Sequence, residues 1–145
     1  MSDINIIINL LIAFVLGGAI GWLREMEGKT AGLRTHILVA VGAALFMMLS
    51  AEMLAKSGLA DPGRIAAGVV TGIGFIGAGC IVQARGAVRG ITTAASIWVT
   101  AAIGIAAGTG YYVGAIAATI LAIITLHFLR IVEKRIIRTK EEEEE

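Results

Sequence analysis

Residues 4–22 read INIIINLLIAFVLGGAIGW and contain no charged side chain. As a helix rising 1.5 Å per residue, a run of this length covers about 28 Å, close to the ~30 Å hydrocarbon depth of a bilayer. It does not alternate in polarity, as a membrane strand of about ten residues would. Helices and closed barrels are the structures that satisfy every backbone N–H and C=O in lipid, so the run reads as a membrane-crossing helix. It has no basic leading segment and no small-residue cleavage pattern, and charge follows at Arg24 and Glu25. The expectation is therefore a retained first helix and not a signal peptide.

Outward from this stretch the pattern repeats. Apolar runs at about residues 35–55, 64–82, 91–107 and 111–129 are separated by charged or glycine-rich knots at 23–34, 56–63, 83–90 and 108–110. The fold class expected is an all-α integral membrane protein, a compact bundle of about five transmembrane helices. Residues 1–140 form one membrane domain and 141–145 an acidic tail, with the fifth helix extending as an amphipathic stub toward Ile137. Composition agrees: 57% of residues are hydrophobic, 16% are charged and the mean hydropathy is +0.87. A water-soluble domain of 145 residues needs more polar surface than this. Cys80 is the single cysteine, so no intramolecular disulfide or cysteine-built metal site is available, and a buried structural thiol is expected.

Orientation follows from the Lys and Arg residues. With the N-terminus outside, ten of the twelve fall on the cytoplasmic side, in the first and third loops and the tail, leaving Lys56 and Arg64 outside. This is the positive-inside pattern, and it places the C-terminus in the cytoplasm. The basic residues are few and dispersed along a membrane rim, so anionic headgroups suit them better than nucleic acid.

Small residues recur at helical spacing: Ala13, Gly17 and Gly21; Gly68, Gly72 and Gly79; Ala94, Ala101, Gly104 and Gly108; Gly110, Gly114 and Ala118. Such stripes let backbones approach closely where lipid removes the hydrophobic drive for association. They serve internal packing, with a homodimer face as the alternative. The glycine-dense third helix admits two readings, a straight tightly packed helix or a broken one lining a cavity.

The polar candidates are Arg24, Glu25, Arg34, Thr35, His36, Arg85, Arg89, Thr92 and Thr93, which the topology gathers at the cytoplasmic face. Two arrangements are open: an anion resting on the N-termini that follow Arg34 and Arg89, or Glu25 pairing with one of the arginines. His36 at a membrane surface is a candidate pH sensor, while Trp22 and His127 read as interfacial. Trp98, in mid-helix, is expected to find a hydrogen-bond partner or a cavity. Asp61-Pro62-Gly63-Arg64 carries the signature of a helix cap followed by proline at the first helical position. Asp61 is either that cap alone or a functional carboxylate, and it is the weak metal candidate. No phosphate loop, zinc motif or nucleophile elbow occurs, so neither an enzyme nor a cofactor is expected.

Four stretches resemble the membrane domain of the MgtC/SapB family: GGAIGWLRE at 17–25, AGLRTHILVAVGAALF at 31–46, DPGRIAAGVVTGIGFIGAG at 61–79 and VRGITTAASIWVTAAIGIAAG at 88–108. They cover most of the chain in the family's order. Within them, Asp61 and Arg64 fall on the family's Asp-Pro-x-Arg motif, and Arg89, Gly90, Thr93 and Ala94 on its Arg-Gly-x-x-Thr-Ala pattern. Leu23 stands where an acidic residue is usual, and Gly68 where glutamine is frequent. The resemblance implies a multi-pass protein of the bacterial inner membrane, linked to growth in low magnesium and to virulence. It further implies regulation of partner membrane proteins, the ATP synthase among them, with a small ion transporter or channel, for Mg²⁺, as the alternative. Many members carry a further soluble domain, so a chain ending soon after the fifth helix would be a short form.

Overall fold

The computed structural model describes residues 2–58, 61–84 and 87–143, and side chains as far as residue 129, that of Ala84 excepted. Five helices make up the fold: α1 (Asp3–Met26), α2 (Leu33–Ser57), α3 (Pro62–Gly79), α4 (Ile91–Gly108) and α5 (Tyr112–Glu143). Four of them, α1, α2, α4 and the first part of α5, are long and apolar enough to cross a membrane. The glycine-rich α3 is not among these four, because its glycines and Arg64 dilute the hydropathy of its 18 residues.

Helix boundaries depart from the sequence expectation in one consequential way. The helical path of α1 runs through Arg24 and Glu25, and α2 begins before Arg34. Residues read as loop are therefore held on helix ends. A Schellman turn closes α1: Gly28 at φ +64° lets its N–H reach the Glu25 carbonyl (3.0 Å) and the Lys29 N–H reach that of Arg24 (3.0 Å).

The segment expected to be a loop at 83–90 contains a two-stranded hairpin, β1 (Val82–Ala84) and β2 (Ala87–Arg89), with Val82 opposite Arg89 and Gln83 opposite Val88. The β-branched Val82 and Val88 suit extended backbone. Gly90 joins the hairpin to α4 at φ +92°, and a Cβ there would run into the Cys80 carbonyl, so glycine is required. Arg85 lies outside the described residues, as do the side chains of Arg130, Lys134, Arg135, Arg138 and Lys140 and the end of the acidic tail.

The hub is α4, which packs against each of the other four helices. Half of its span is buried, against 17% of that of α5. All three apolar clusters contain an α4 residue: Ile97 and Ala101 meet Ala43 of α2 and Ile73 of α3, Ala107 meets Ala13 and Ala40, and Ile103 meets Ile20 and Leu126. Outside, Leu11, Phe14, Val15, Leu38, Phe75 and Val113 point away from the bundle, and Phe75 is 85% exposed. A surface this apolar suits lipid and not water.

Candidate functional site

The site is built where the C-terminal end of α1 meets the N-terminal ends of α2 and α4. Arg24, on the last turn of α1, is only 2% exposed. Its Nη2 donates to Thr93 Oγ1 at 2.9 Å, and its Nη1 faces Glu27 Oε2 at 3.4 Å. The carboxylate paired with Arg24 is thus Glu27, three residues on, and not Glu25. Glu27 also reaches toward His127 Nδ1 at 3.7 Å, which ties the far part of α5 to the end of α1.

Glu25 has a different task. Its Oε2 accepts the Leu33 N–H at 2.9 Å, at the first residue of α2. The position where an anion was one expectation is filled by the protein's own carboxylate, which meets the positive end of the helix. A Cβ at Gly32 would run into the Glu25 carboxylate, which would have to swing aside.

His36 lies one turn into α2 and has no exposed surface. Its Nδ1 donates to the Gly32 carbonyl at 2.8 Å, and its Nε2 lies 3.1 Å from Ser96 Oγ. The Ser96 hydroxyl is also 2.8 Å from the Thr93 carbonyl, so one hydroxyl proton has two acceptors in reach. Thr100 Oγ1, one turn further, donates to the Ser96 carbonyl at 2.8 Å. Arg24, Thr93, His36, Ser96 and Thr100 form a buried polar line running into the bundle along α4.

Of the sequence candidates, the structure brings together Arg24, Glu25, His36 and Thr93. It leaves Arg34, Arg89 and Thr92 exposed at the same end, and Thr35 half-buried. Asp61 and Arg64 sit at the opposite end of α2, where α3 begins. Asp61 Oδ1 accepts the Gly63 N–H at 2.8 Å, with Pro62 at the first helical position, so it caps α3. Trp98 is half exposed on the outside of α4 and makes no hydrogen bond among the described residues. Cys80 is half-buried, its thiol 3.5 Å from the Ile76 carbonyl.

Sequence reasoning missed Glu27, Ser96 and Thr100. Their signal was present: Thr93, Ser96 and Thr100 are spaced three and four apart, one face of a helix. It also missed a second polar contact at the other end of the bundle. Asn9, 3% exposed, donates from Nδ2 to the Gly108 carbonyl (3.2 Å) and accepts the Tyr112 hydroxyl on Oδ1 (2.6 Å), fastening α1 to the α4–α5 turn.

The glycines divide by what a Cβ would meet. A Cβ on Gly17 would stand 2.7 Å from Ala40 Cβ, and one on Gly21 2.8 Å from Leu33 Cα. A Cβ on Gly104 would run into the Ala40 carbonyl, and one on Gly108 would lie 2.8 Å from Ala44 Cα. These four let α1 and α4 close on α2 from two sides. Gly68, Gly72 and Gly79 of α3 have open space where a Cβ would project, and Gly114 faces the Tyr111 ring.

The MgtC family model matches residues 10–135, which takes in α1 through most of α5 and every residue of the buried polar line. The chain belongs to the MgtC family. Among curated members of that family and its relatives, it is 50% identical over 125 residues to YhiD of Escherichia coli strain K12, provisionally named a magnesium transporter, covering 83% of this chain and 58% of YhiD. It is 46% identical over 130 residues to Protein MgtC of Salmonella typhimurium strain LT2, covering 90% of this chain and 54% of that protein. Protein MgtC of Brucella abortus strain 2308 is 47% identical over 118 residues, covering 81% of this chain and 48% of that protein. The chain thus spans about half the length of the curated relatives it matches. No solved structure matches it. As an MgtC-family chain with four helices able to cross a membrane, this is a multi-pass membrane protein.

Proposed function

We propose that this MgtC-family chain is a regulatory or accessory protein of the magnesium-limitation response, acting through other membrane proteins in the bacterial inner membrane. The observation that carries this reading is the character of the buried polar line. Its one charged member among the described residues is a guanidinium, Arg24, spent on Thr93 and Glu27. Magnesium takes oxygen ligands, carboxylates above all. Among the described residues no group of three or more His, Cys, Asp or Glu side chains stands close enough to hold a metal ion. A cation following the polar line inward from the α1–α2 end would meet the Arg24 guanidinium before Ser96 and Thr100. Buried hydrogen-bonded networks of this kind rigidify the core that holds them, which suits a recognition body.

In this reading the chain crosses the membrane five times, with its N-terminus outside and its C-terminus in the cytoplasm. It recognises its partner, of which the ATP synthase is the example the family suggests, through its outer helix faces. A homodimer is a further arrangement compatible with these faces. Cysteines introduced singly at Thr30 and Ser57 test the topology, since opposite-side labelling is expected.

A second reading, a small magnesium transporter, has two supports. YhiD carries a transporter name, and Asp61 is exposed and spends one carboxylate oxygen on its cap. One preparation separates the two functions. Photocrosslinking in membranes under magnesium limitation is expected to trap a defined partner, and the purified chain in vesicles to move no Mg²⁺ above empty vesicles. Magnesium flux that Asp61→Asn abolishes would overturn the regulatory reading.

A further inference from the structure

Beside the polar line, and separate from it, the bundle is open between α2 and α3. Gly42 and Phe46 of α2, with Gly68, Gly72 and Ile76 of α3, line an apolar groove of about 770 Å³. A Cβ on Gly42, Gly68 or Gly72 would meet nothing within 4 Å. Glycine weakens a helix relative to alanine, and at these three positions no close contact within the chain requires it. Their effect is to hollow the wall of the groove.

Arg64 is the one charged residue lining the groove among the described residues. It lies exposed on the first turn of α3, and its guanidinium makes no hydrogen bond or ion pair among the described residues. From Arg64 to Ile76 the helix rises about 18 Å at 1.5 Å per residue, close to the ~15 Å of hydrocarbon in one leaflet. The groove therefore offers a single cation at one end and an apolar slot of one-leaflet depth beyond it. That is the charge and length pattern of an anionic phospholipid. Guanidinium pairs with phosphate through two parallel hydrogen bonds, and the N-terminal end of α3 adds positive potential at the same point.

A second copy of the chain fits this face less well. A two-fold axis along the membrane normal places identical surfaces at equal depth. The two Arg64 side chains would then face each other, like charges at a low-dielectric boundary.

We propose that this groove holds one anionic phospholipid per chain, its phosphate on Arg64 and one acyl chain along Gly68 and Gly72. The inference is independent of whether the protein regulates or transports. Native mass spectrometry of the full chain, delipidated in detergent and given phosphatidylglycerol or phosphatidylcholine, tests it. One phosphatidylglycerol is expected to remain bound under activation that strips phosphatidylcholine. Arg64→Gln is expected to weaken phosphatidylglycerol binding about tenfold and erase the preference. Gly72→Leu is expected to abolish phosphatidylglycerol retention, with helical content and melting unchanged. Gly42→Leu is the second filling variant, on the other wall, and Arg64→Gln decides the matter if neither filled chain folds. Equal retention of both lipids by the wild type, or unchanged retention in Arg64→Gln or in a folded filled variant, overturns the proposal. So does a dimer that takes up the groove and excludes lipid.

Discussion

Arg24 of α1 and Thr93 of α4, 69 positions apart in the chain, meet through a 2.9 Å hydrogen bond inside the bundle. The bond joins two helices that both pack on α2, so it closes a triangle whose third side is His36 and Ser96. Glu27 supplies the countercharge.

Removing Glu27's charge takes one countercharge from a guanidinium buried in the bundle. Glu27→Gln is expected to destabilise the bundle by about 3 kcal/mol, the usual cost of breaking a buried pair from one side. Arg24→Met with Glu27→Leu is expected to recover more than half of that loss. Reversible unfolding in mixed micelles, run as a double-mutant cycle, measures both; equal losses in the single and double variants would show the pair to be uncoupled.

His36 is held from both sides, by Gly32 and Ser96. His36→Leu keeps much of the volume but removes two hydrogen bonds of the ring, while the Gly32 carbonyl keeps the backbone N–H of residue 36 and the Ser96 hydroxyl keeps the Thr93 carbonyl, and the expected cost is about 2 kcal/mol. Ser96→Ala, which leaves the imidazole bonded to Gly32, is expected to cost about half as much. The same unfolding assay ranks them, and a reversed order would mean that the serine and not the ring organises the site.

The two kinds of glycine make opposite forecasts. Gly104→Ala drives a methyl into the Ala40 carbonyl, and a loss of about 2 kcal/mol is expected. Gly68→Ala projects into open space and is expected to be neutral, or stabilising by up to about 1 kcal/mol. Thermal melting of the two purified variants side by side is enough to check the sign of each.

Asp61 caps α3 through an oxygen that asparagine also offers. Asp61→Asn is expected to melt as the wild type does, and Asp61→Ala to lose about 1 kcal/mol. In a strain dependent on this chain for growth at low magnesium, the regulatory reading expects Asp61→Asn to complement at unchanged membrane abundance. Failure to complement, with abundance intact, would assign the carboxylate's charge a role beyond capping.

Much of the architecture was legible because its causes are local. Hydrocarbon depth and backbone hydrogen bonding turn uncharged runs such as 4–22 into helices whatever surrounds them. The Asp61-Pro62 cap was readable for the same reason, since donor and acceptor lie two residues apart. The hairpin at 82–89 was hidden by its shortness, for strands of three residues leave too little pattern to separate from a loop. The open side of α3 was hidden too: Gly17, which touches a neighbour, and Gly72, which does not, present the same spacing in sequence.

Sequence alone thus determined the solvent, the helices and the family-like motifs, because each is written in adjacent residues or in their periodicity. Which carboxylate Arg24 meets, which glycines bear on a neighbouring helix and which hollow out a groove were decided only by tertiary structure. Those outcomes depend on how α1, α2 and α4 turn their faces toward one another, and a helix's rotation about its own axis is set by partners tens of residues away.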